Sequence, residues 1–144
     1  MSETRSIRVY GLPAPQGSKS FKGFDGRGHA YMPESSKNLK PWRDSVVWAY
    51  REDAARVYWT TPMDGPLWLT AIFYMPRPKK PKYDLPAVAP DLSKLVRSTE
   101  DALKVAGAIA DDSRIVVLAV TKVFESPSEP MGAVIQIGTF KREF

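Results

Sequence analysis

The sequence predicts an α+β fold: a single small domain, residues 1–144, with a mixed sheet of about four strands and two main helices. Three observations predict it. Segments of strand and helix character alternate irregularly, in the order strand, long loop, helix, strand, basic loop, helix, strand, strand. The length of 144 residues suits one domain. A hydrophobic content of 43% with 11% aromatic residues is typical of a folded core.

The first part of the chain predicts a strand, a loop and a helix. Residues 5–12 alternate in polarity, as a half-buried strand does. Residues 13–36 form a long loop with several glycines, and loops of this length are often functional. A helix is predicted to begin near Pro41, since proline suits a first helical turn. Its apolar stripe comprises Trp42, Val46, Val47, Tyr50, Ala54, Val57 and Tyr58, which we interpret as packing residues.

The second part predicts a central strand, a basic segment, a helix and two more strands. Residues 66–75 are apolar on both faces, as in a strand at the centre of a sheet. Residues 76–90 contain five prolines and four basic residues, a density of proline that excludes regular structure. A helix is predicted over residues 92–106, and residues 114–124 and 132–140 predict the last strands.

Charge and composition narrow the functional classes. The net charge of +5 indicates an anionic partner such as nucleic acid, although basic proteins also gain solubility from such a charge. The chain has no cysteine and one histidine, which excludes thiolate–zinc sites and disfavours histidine-based chemistry. We expect a cytoplasmic protein, because the first residues lack the apolar stretch of a signal peptide.

Basic side chains in the loops and on the second helix are candidates for contacts to DNA phosphates. A solvated linker is the alternative interpretation of residues 76–90, but fixed backbone angles favour an extended arm that presents its charges. The candidates are Lys19, Lys22, Arg27, Arg77, Lys79, Lys80, Lys82, Lys94 and Arg97.

Carboxylates stand at both ends of the second predicted helix. Asp91 is at its N-cap position, where capping is sufficient explanation, and Asp111 and Asp112 precede a strand, where a turn is sufficient explanation. A helix of this length carries the chain about 18 Å from Asp91. The residues from Lys104 to Asp112 span about 26 Å when extended, so Asp91 and Asp112 are able to meet.

Converging carboxylates in a basic protein favour a hard divalent cation. Mg²⁺ prefers oxygen ligands and is commonly held by one or two carboxylates together with substrate phosphates. Adjacent residues of an extended segment point to opposite faces, so only one of Asp111 and Asp112 is expected to face the site. Basic side chains around an acidic site are the pattern of a metal-dependent nuclease.

The segment from Pro90 to Lys122, "PDLSKLVRSTEDALKVAGAIADDSRIVVLAVTK", resembles the core of RusA-type Holliday junction resolvases. The register of Asp91, of Asp101-Ala102-Leu103, of the doubled Asp111-Asp112 and of Lys122 carries the resemblance.

The resemblance implies a homodimer that cuts four-way DNA junctions by paired nicks with Mg²⁺ or Mn²⁺. By position, Asp91, Asp111 and Asp112 are implied as metal ligands and catalytic residues. Arg97 replaces the family's lysine at a catalytic position, and Lys122 is implied to contact DNA or support the fold.

Two further positions depart from the family pattern. Ser93 stands where the family has a second aspartate, and Lys94 where it has asparagine. Three outcomes are open: a site built on the remaining aspartates, recruitment of Asp101 or Asp84, or loss of activity. Because the other aspartates remain in register, the leading hypothesis is an active branched-DNA endonuclease. The alternative is a catalytically weakened or inactive protein that binds branched DNA.

Overall fold

The structure, a computed structural model, describes residues 2–17 and 37–142. Its elements follow the predicted order and form one α+β unit with a four-stranded mixed sheet and two helices. They are β1 (Thr4–Tyr10), α1 (Leu39–Val57), β2 (Leu67–Met75), α2 (Leu92–Ala106), β3 (Ile115–Phe124) and β4 (Gly132–Thr139). The predicted fold class is confirmed.

The strand order in the sheet is β1-β4-β2-β3. Strand β4 is antiparallel to both β1 and β2, whereas β2 and β3 are parallel. Parallel neighbours need a crossover, and α2 supplies it between β2 and β3. Strand β2 is internal, as its apolar sequence predicted, and β3 forms one edge of the sheet.

The core lies between the sheet and the two helices. Trp42 of α1 is fully buried and packs against Phe73 of β2 at 6.4 Å between ring centroids. The Trp42 indole also donates a hydrogen bond of 3.2 Å to the hydroxyl of Thr99 on α2. The interpretation of Trp42 and Tyr50 as packing residues is therefore confirmed.

Helix α1 begins close to the predicted start but ends before the predicted apolar stripe does. It begins at Leu39, two residues before Pro41. It ends at Val57, and Tyr58 adopts a left-handed conformation with φ of 61°. The end of the helix turns Tyr58 away from the core, so its side chain is 82% exposed. Including Val57 and Tyr58 in the apolar stripe was wrong, because both are exposed.

Helix α2 has the predicted bounds and also holds the first loop. Gly107 ends the helix in the left-handed region, with φ of 84°. The hydroxyl of Ser98, which is fully buried, donates a hydrogen bond of 2.6 Å to the carbonyl of Ala14. The amide of Gln16 donates to the carbonyl of Lys94. These bonds fasten residues 14–16 to the first half of α2.

Strand β3 is apolar but exposed. Val116, Val117 and Leu118 are 57%, 40% and 48% exposed. No strand pairs with the outer edge of β3 in the described part of the chain. Natural proteins usually protect a long apolar edge strand with charges, proline or a covering element.

Residues 76–90 contain no helix or strand, as predicted. The ammonium of Lys122 on β3 donates hydrogen bonds of 2.8 and 2.9 Å to the carbonyls of Val88 and Pro90. The end of this segment is therefore attached to the last part of β3, directly before Asp91.

Candidate active site

A cluster of carboxylates lies where the second half of α2 meets the turn before β3. Asp112 is the first residue of a 3₁₀ turn, Asp112–Arg114. Burial raises the pKa of Asp112, and the neighbouring Asp101 carboxylate raises it further. The Oδ1 atom of Asp112 is buried without a hydrogen-bond partner among the described residues. Because buried polar atoms are nearly always hydrogen-bonded, this oxygen is a candidate ligand for a cation.

Glu100 belongs to the same cluster, although the sequence analysis did not select it. Burial, followed by repulsion from Asp112 and Asp101, raises the pKa of Glu100 to about 7. The spacing of Glu100 from apolar residues of the helix would have identified it in the sequence. Glu100 follows Val96 by four residues and precedes Leu103 by three, and both are buried. A carboxylate on the buried stripe of a helix is a candidate for function.

Asp111 has a structural role in the turn. Its carboxylate accepts a hydrogen bond of 3.0 Å from the amide of Ser113 and so caps the 3₁₀ turn. It also forms an ion pair of 2.8 Å with Lys104 of α2. These bonds, led by the one from Lys104, hold the pKa of Asp111 well below its usual range. Of the two adjacent aspartates, Asp112 faces the carboxylate cluster and Asp111 supports the turn.

Asp91 occupies the N-cap position of α2, but its side chain makes no capping hydrogen bond. The carboxylate is 64% exposed and lies 3.9 Å from the ammonium of Lys94. Aspartate at an N-cap usually accepts a bond from a free amide of the first turn. The capping interpretation therefore does not account for Asp91, and its exposed carboxylate is accessible to a ligand.

Asp91 and Asp112 lie at opposite ends of β3 within one chain. Asp112 lies beside Asp101, which is ten residues further along α2 than Asp91 and thus about 15 Å away along the helix axis. Asp91 follows Pro90, whose carbonyl is bonded to Lys122 near the end of β3. The encounter at the start of α2 that the sequence permitted is not formed within this chain.

The residues after α2 explain the separation. Asp91 and Asp112 of one chain meet only if these residues extend back along the helix. Instead, Met63 donates to the carbonyl of Ala108 and accepts from the amide of Ala110, which forms an isolated parallel bridge. This bridge holds the chain near the end of α2 until β3 begins.

Ser93, Lys94 and Arg97 lie on the first two turns of α2, and their side chains reach the surface to different degrees. Ser93 and Arg97 are exposed, and Lys94 is partly exposed. Arg97 is close enough to Glu100 to oppose the rise in the pKa of that carboxyl. The polar face of α2 therefore carries cations near its start and carboxylates further along.

The basic segment presents its charges as predicted. Arg77, Lys79, Lys80 and Lys82 are all exposed. The guanidinium of Arg77 lies 5.3 Å from the ring centroid of Phe124 at the end of β3. Asp84, the alternative carboxylate of this segment, is exposed. The predicted contacts Lys19, Lys22 and Arg27 lie outside the described residues.

No group of three or more Asp, Glu, His or Cys side chains is arranged to hold a metal ion within residues 2–17 and 37–142. The cluster around Asp112 thus has carboxylates of raised pKa but does not form a complete metal site in this chain. Asp91, at the far end of β3, is a separate carboxylate without a cap. The candidate carboxylates are therefore divided between two places, and the basic segment directly precedes Asp91.

Comparison with known proteins concerns the family of the chain and not the geometry of the site. No helix of the described residues is both long enough and apolar enough to cross a membrane. A search of the curated proteins finds no match. A comparison with protein families matches residues 11–137 to the family described as endodeoxyribonuclease RusA. Because the match covers most of the sequence, including α2, both acidic ends and the basic segment, this chain belongs to the RusA endodeoxyribonuclease family.

Proposed function

We propose that the protein is a Mg²⁺-dependent endonuclease that resolves Holliday junctions and related branched DNA by paired nicks. It acts as a homodimer in the cytoplasm of a bacterial cell, during recombination, repair or phage DNA processing. Membership of the RusA family supports the nuclease class. The single observation that carries the proposal is the buried oxygen of Asp112, which lies beside Asp101 and Glu100 and has no hydrogen-bond partner among the described residues.

The cluster offers the type of ligand that a hard divalent cation takes, although the described residues of one chain do not form a complete site. Asp112, Asp101 and Glu100 offer oxygen ligands only, and their mutual repulsion is relieved when a cation binds. Asp91 is the fourth candidate. Bound Mg²⁺, or Mn²⁺ in its place, activates water and stabilises charge on the scissile phosphate.

The edge strand β3 supports a homodimer. Its exposed apolar side chains lie on both faces of the sheet. Val117 is on the face of its register partner Trp68, which is partly exposed. Leu118 is on the opposite face, with its register partner Leu69, which is buried. A second copy of β3, paired antiparallel across a two-fold axis, covers these side chains and joins the two sheets.

The same pairing completes the divided site. Asp112 precedes the start of β3, and Asp91 is attached through Lys122 to its end. In an antiparallel pair, the start of one strand lies beside the end of the other. Asp112 of one copy is therefore brought towards Asp91 of the second copy, and a dimer has two such sites.

The remaining residues bind and orient the DNA. Arg77, Lys79, Lys80 and Lys82 hold backbone phosphates beside the Asp91 half of the site. Arg97 lies between Asp91 and Glu100 on α2, where its guanidinium binds the scissile phosphate. A two-fold dimer matches a four-way junction, whose opposing strands present two equivalent phosphates.

The first experiment is cleavage of a labelled four-way junction by wild type and Asp112→Asn, with Mg²⁺ or with EDTA. We expect paired nicks from the wild type in Mg²⁺ and none in EDTA. We expect a loss of at least about 100-fold in Asp112→Asn with junction binding retained. Cleavage that persists in EDTA or in the variant contradicts the proposal.

A mixing experiment tests the divided site. Asp91→Asn and Asp112→Asn are each inactive as homodimers, but a mixed dimer contains one site with both wild-type aspartates. We expect mixing after partial denaturation to restore nicking of one strand. If each site is formed within one chain, every mixed dimer lacks one aspartate at both sites and no activity returns.

A binding protein without cleavage is the second candidate, and one observation favours it. Ser93, on the first turn of α2, supplies no carboxylate where the family has an aspartate. Under this candidate the wild type binds the junction but does not cut it with Mg²⁺ or Mn²⁺, and Ser93→Asp restores cleavage.

A further inference from the structure

A groove lies between residues 12–15 and the basic segment, residues 76–90, where β2 and β3 end. Its walls come from residues 12–15, residues 75–78 and residues 82–90 other than Asp84, together with Asn38, Lys122 and Phe124. We call it the proline groove, since prolines contribute to each of its three segments. Its volume of about 450 Å³ is within the range of small-molecule sites.

The proline groove is held in shape by bonds from neighbouring elements. Ser98 fixes the carbonyl of Ala14 on one wall, and Lys122 fixes the carbonyls of Val88 and Pro90 on the other. Prolines restrict the backbone further. A preformed site loses little conformational entropy on binding.

Exposed apolar side chains line the proline groove although nothing in the described chain covers them. Tyr83, Leu85 and Val88 are 49%, 56% and 52% exposed. A flat apolar ligand that stacks on these side chains buries them without a polar penalty. Stacking on aromatic and apolar surfaces is how proteins bind unpaired bases irrespective of sequence.

The charges of the proline groove favour a nucleotide over a peptide. Arg77, Lys82 and Lys122 are among its lining residues, and no acidic residue lines the part that the structure describes. The ammonium of Lys82 lies 5.4 Å from the centroid of the Tyr83 ring, so cation and stacking surface are adjacent. A nucleotide needs both, because its base is apolar on its faces and its phosphate is anionic.

The proline groove also adjoins the proposed cleavage site. Pro90 is one of its lining residues and directly precedes Asp91. A strand whose phosphate lies at Asp91 thus has a neighbouring base within reach of the groove. We propose that the proline groove binds one unpaired base of the branched DNA and so positions the strand for cleavage. This inference rests on the proposed function.

The test measures the affinity of the full-length protein for two branched DNAs in EDTA, where no cleavage occurs. One DNA carries an unpaired thymidine at the branch point, and the other carries an abasic residue at the same position. We expect wild type to bind the thymidine DNA at least about 5-fold more tightly, as expected for one stacked base. Tyr83→Ala/Leu85→Ala removes this preference, whereas its affinity for the abasic DNA stays within about 2-fold, which also shows that it is folded.

Trp48→Ala is the matched control, because Trp48 is an exposed aromatic on α1 outside the proline groove. It keeps the preference for the unpaired base. Equal affinity of wild type for the two DNAs overturns the inference and leaves the nuclease proposal intact. A preference that survives in the double variant also overturns it. Light scattering measures the oligomeric mass of the double variant, and a change in this mass shows that the groove forms a protein contact instead. If wild type binds neither DNA, both the inference and the nuclease proposal are refuted.

Discussion

The two ends of helix α2 carry carboxylates that the structure surrounds in opposite ways. At the start, Asp91 has the N-cap position but caps nothing, and its exposed carboxylate lies 3.9 Å from the ammonium of Lys94. At the end, Asp111 is bonded to the turn and to Lys104, and the partly exposed Asp112 has one buried oxygen beside two further carboxylates. The position of an aspartate in a motif therefore does not reveal its role. Its role follows from the donors that surround it, and only carboxylates without donors remain available for a cation.

The largest expected effect on this comparison is the loss of DNA cleavage in the variant Asp91→Asn. The variant loses at least about 100-fold in junction nicking, because a cation loses an anionic ligand. Its thermal unfolding midpoint stays close to that of wild type, because the Asp91 side chain makes no capping bond. Single-turnover cleavage and calorimetry on the same preparation measure both. A large fall in the midpoint means instead that Asp91 has a structural role.

Asp111→Asn is the matched variant at the other end of α2 and has a smaller expected effect. It loses the ion pair with Lys104 and weakens the cap on Ser113, so the unfolding midpoint falls by a few degrees. Cleavage below the midpoint remains within about 10-fold of wild type, because Asp111 supports the turn without facing the cluster. Loss of cleavage as large as in Asp112→Asn shows that both aspartates bind the cation.

The smallest expected effect is a pH dependence of stability caused by Glu100. Its pKa is raised to about 7 in the folded state, above the ordinary 4.5. The native state therefore binds more protons than the unfolded state between these values, and stability without metal falls as the pH rises through this window. Because Glu100 is only half-buried, solvent screening limits the loss to about 1 kcal/mol.

Urea unfolding of wild type and Glu100→Gln at pH 5 and pH 8, in EDTA, measures this effect. The variant loses most of the pH-dependent difference, and added Mg²⁺ reduces it in wild type. Identical pH dependence in the two proteins shows that Glu100 is not the group that titrates.

Much of the fold could be predicted because it depends on local chemistry. The bounds of α2 follow from its apolar period and from Gly107. The central position of β2 follows from its apolar residues on both faces. The run Ile115–Val120 is as apolar as β2 but lies at the edge of the sheet, and no local property distinguishes the two strands. The end of α1 was not predicted because Tyr58 continues the apolar period of the helix, although the helix stops at Val57.

The sequence by itself determined the α+β class, the order of the elements, the basic arm and the identity of the aspartates. Each of these follows from residue type, period and chain order. Only the tertiary structure decided that Asp111 caps a turn, that Glu100 joins Asp112, and that Asp91 lies far from both. Distances between residues remote in the chain depend on how the helix and strand pack together. The bridge at Met63 directs the chain into β3 beside the end of α2, and it thereby separates two carboxylates that the chain length allowed to meet.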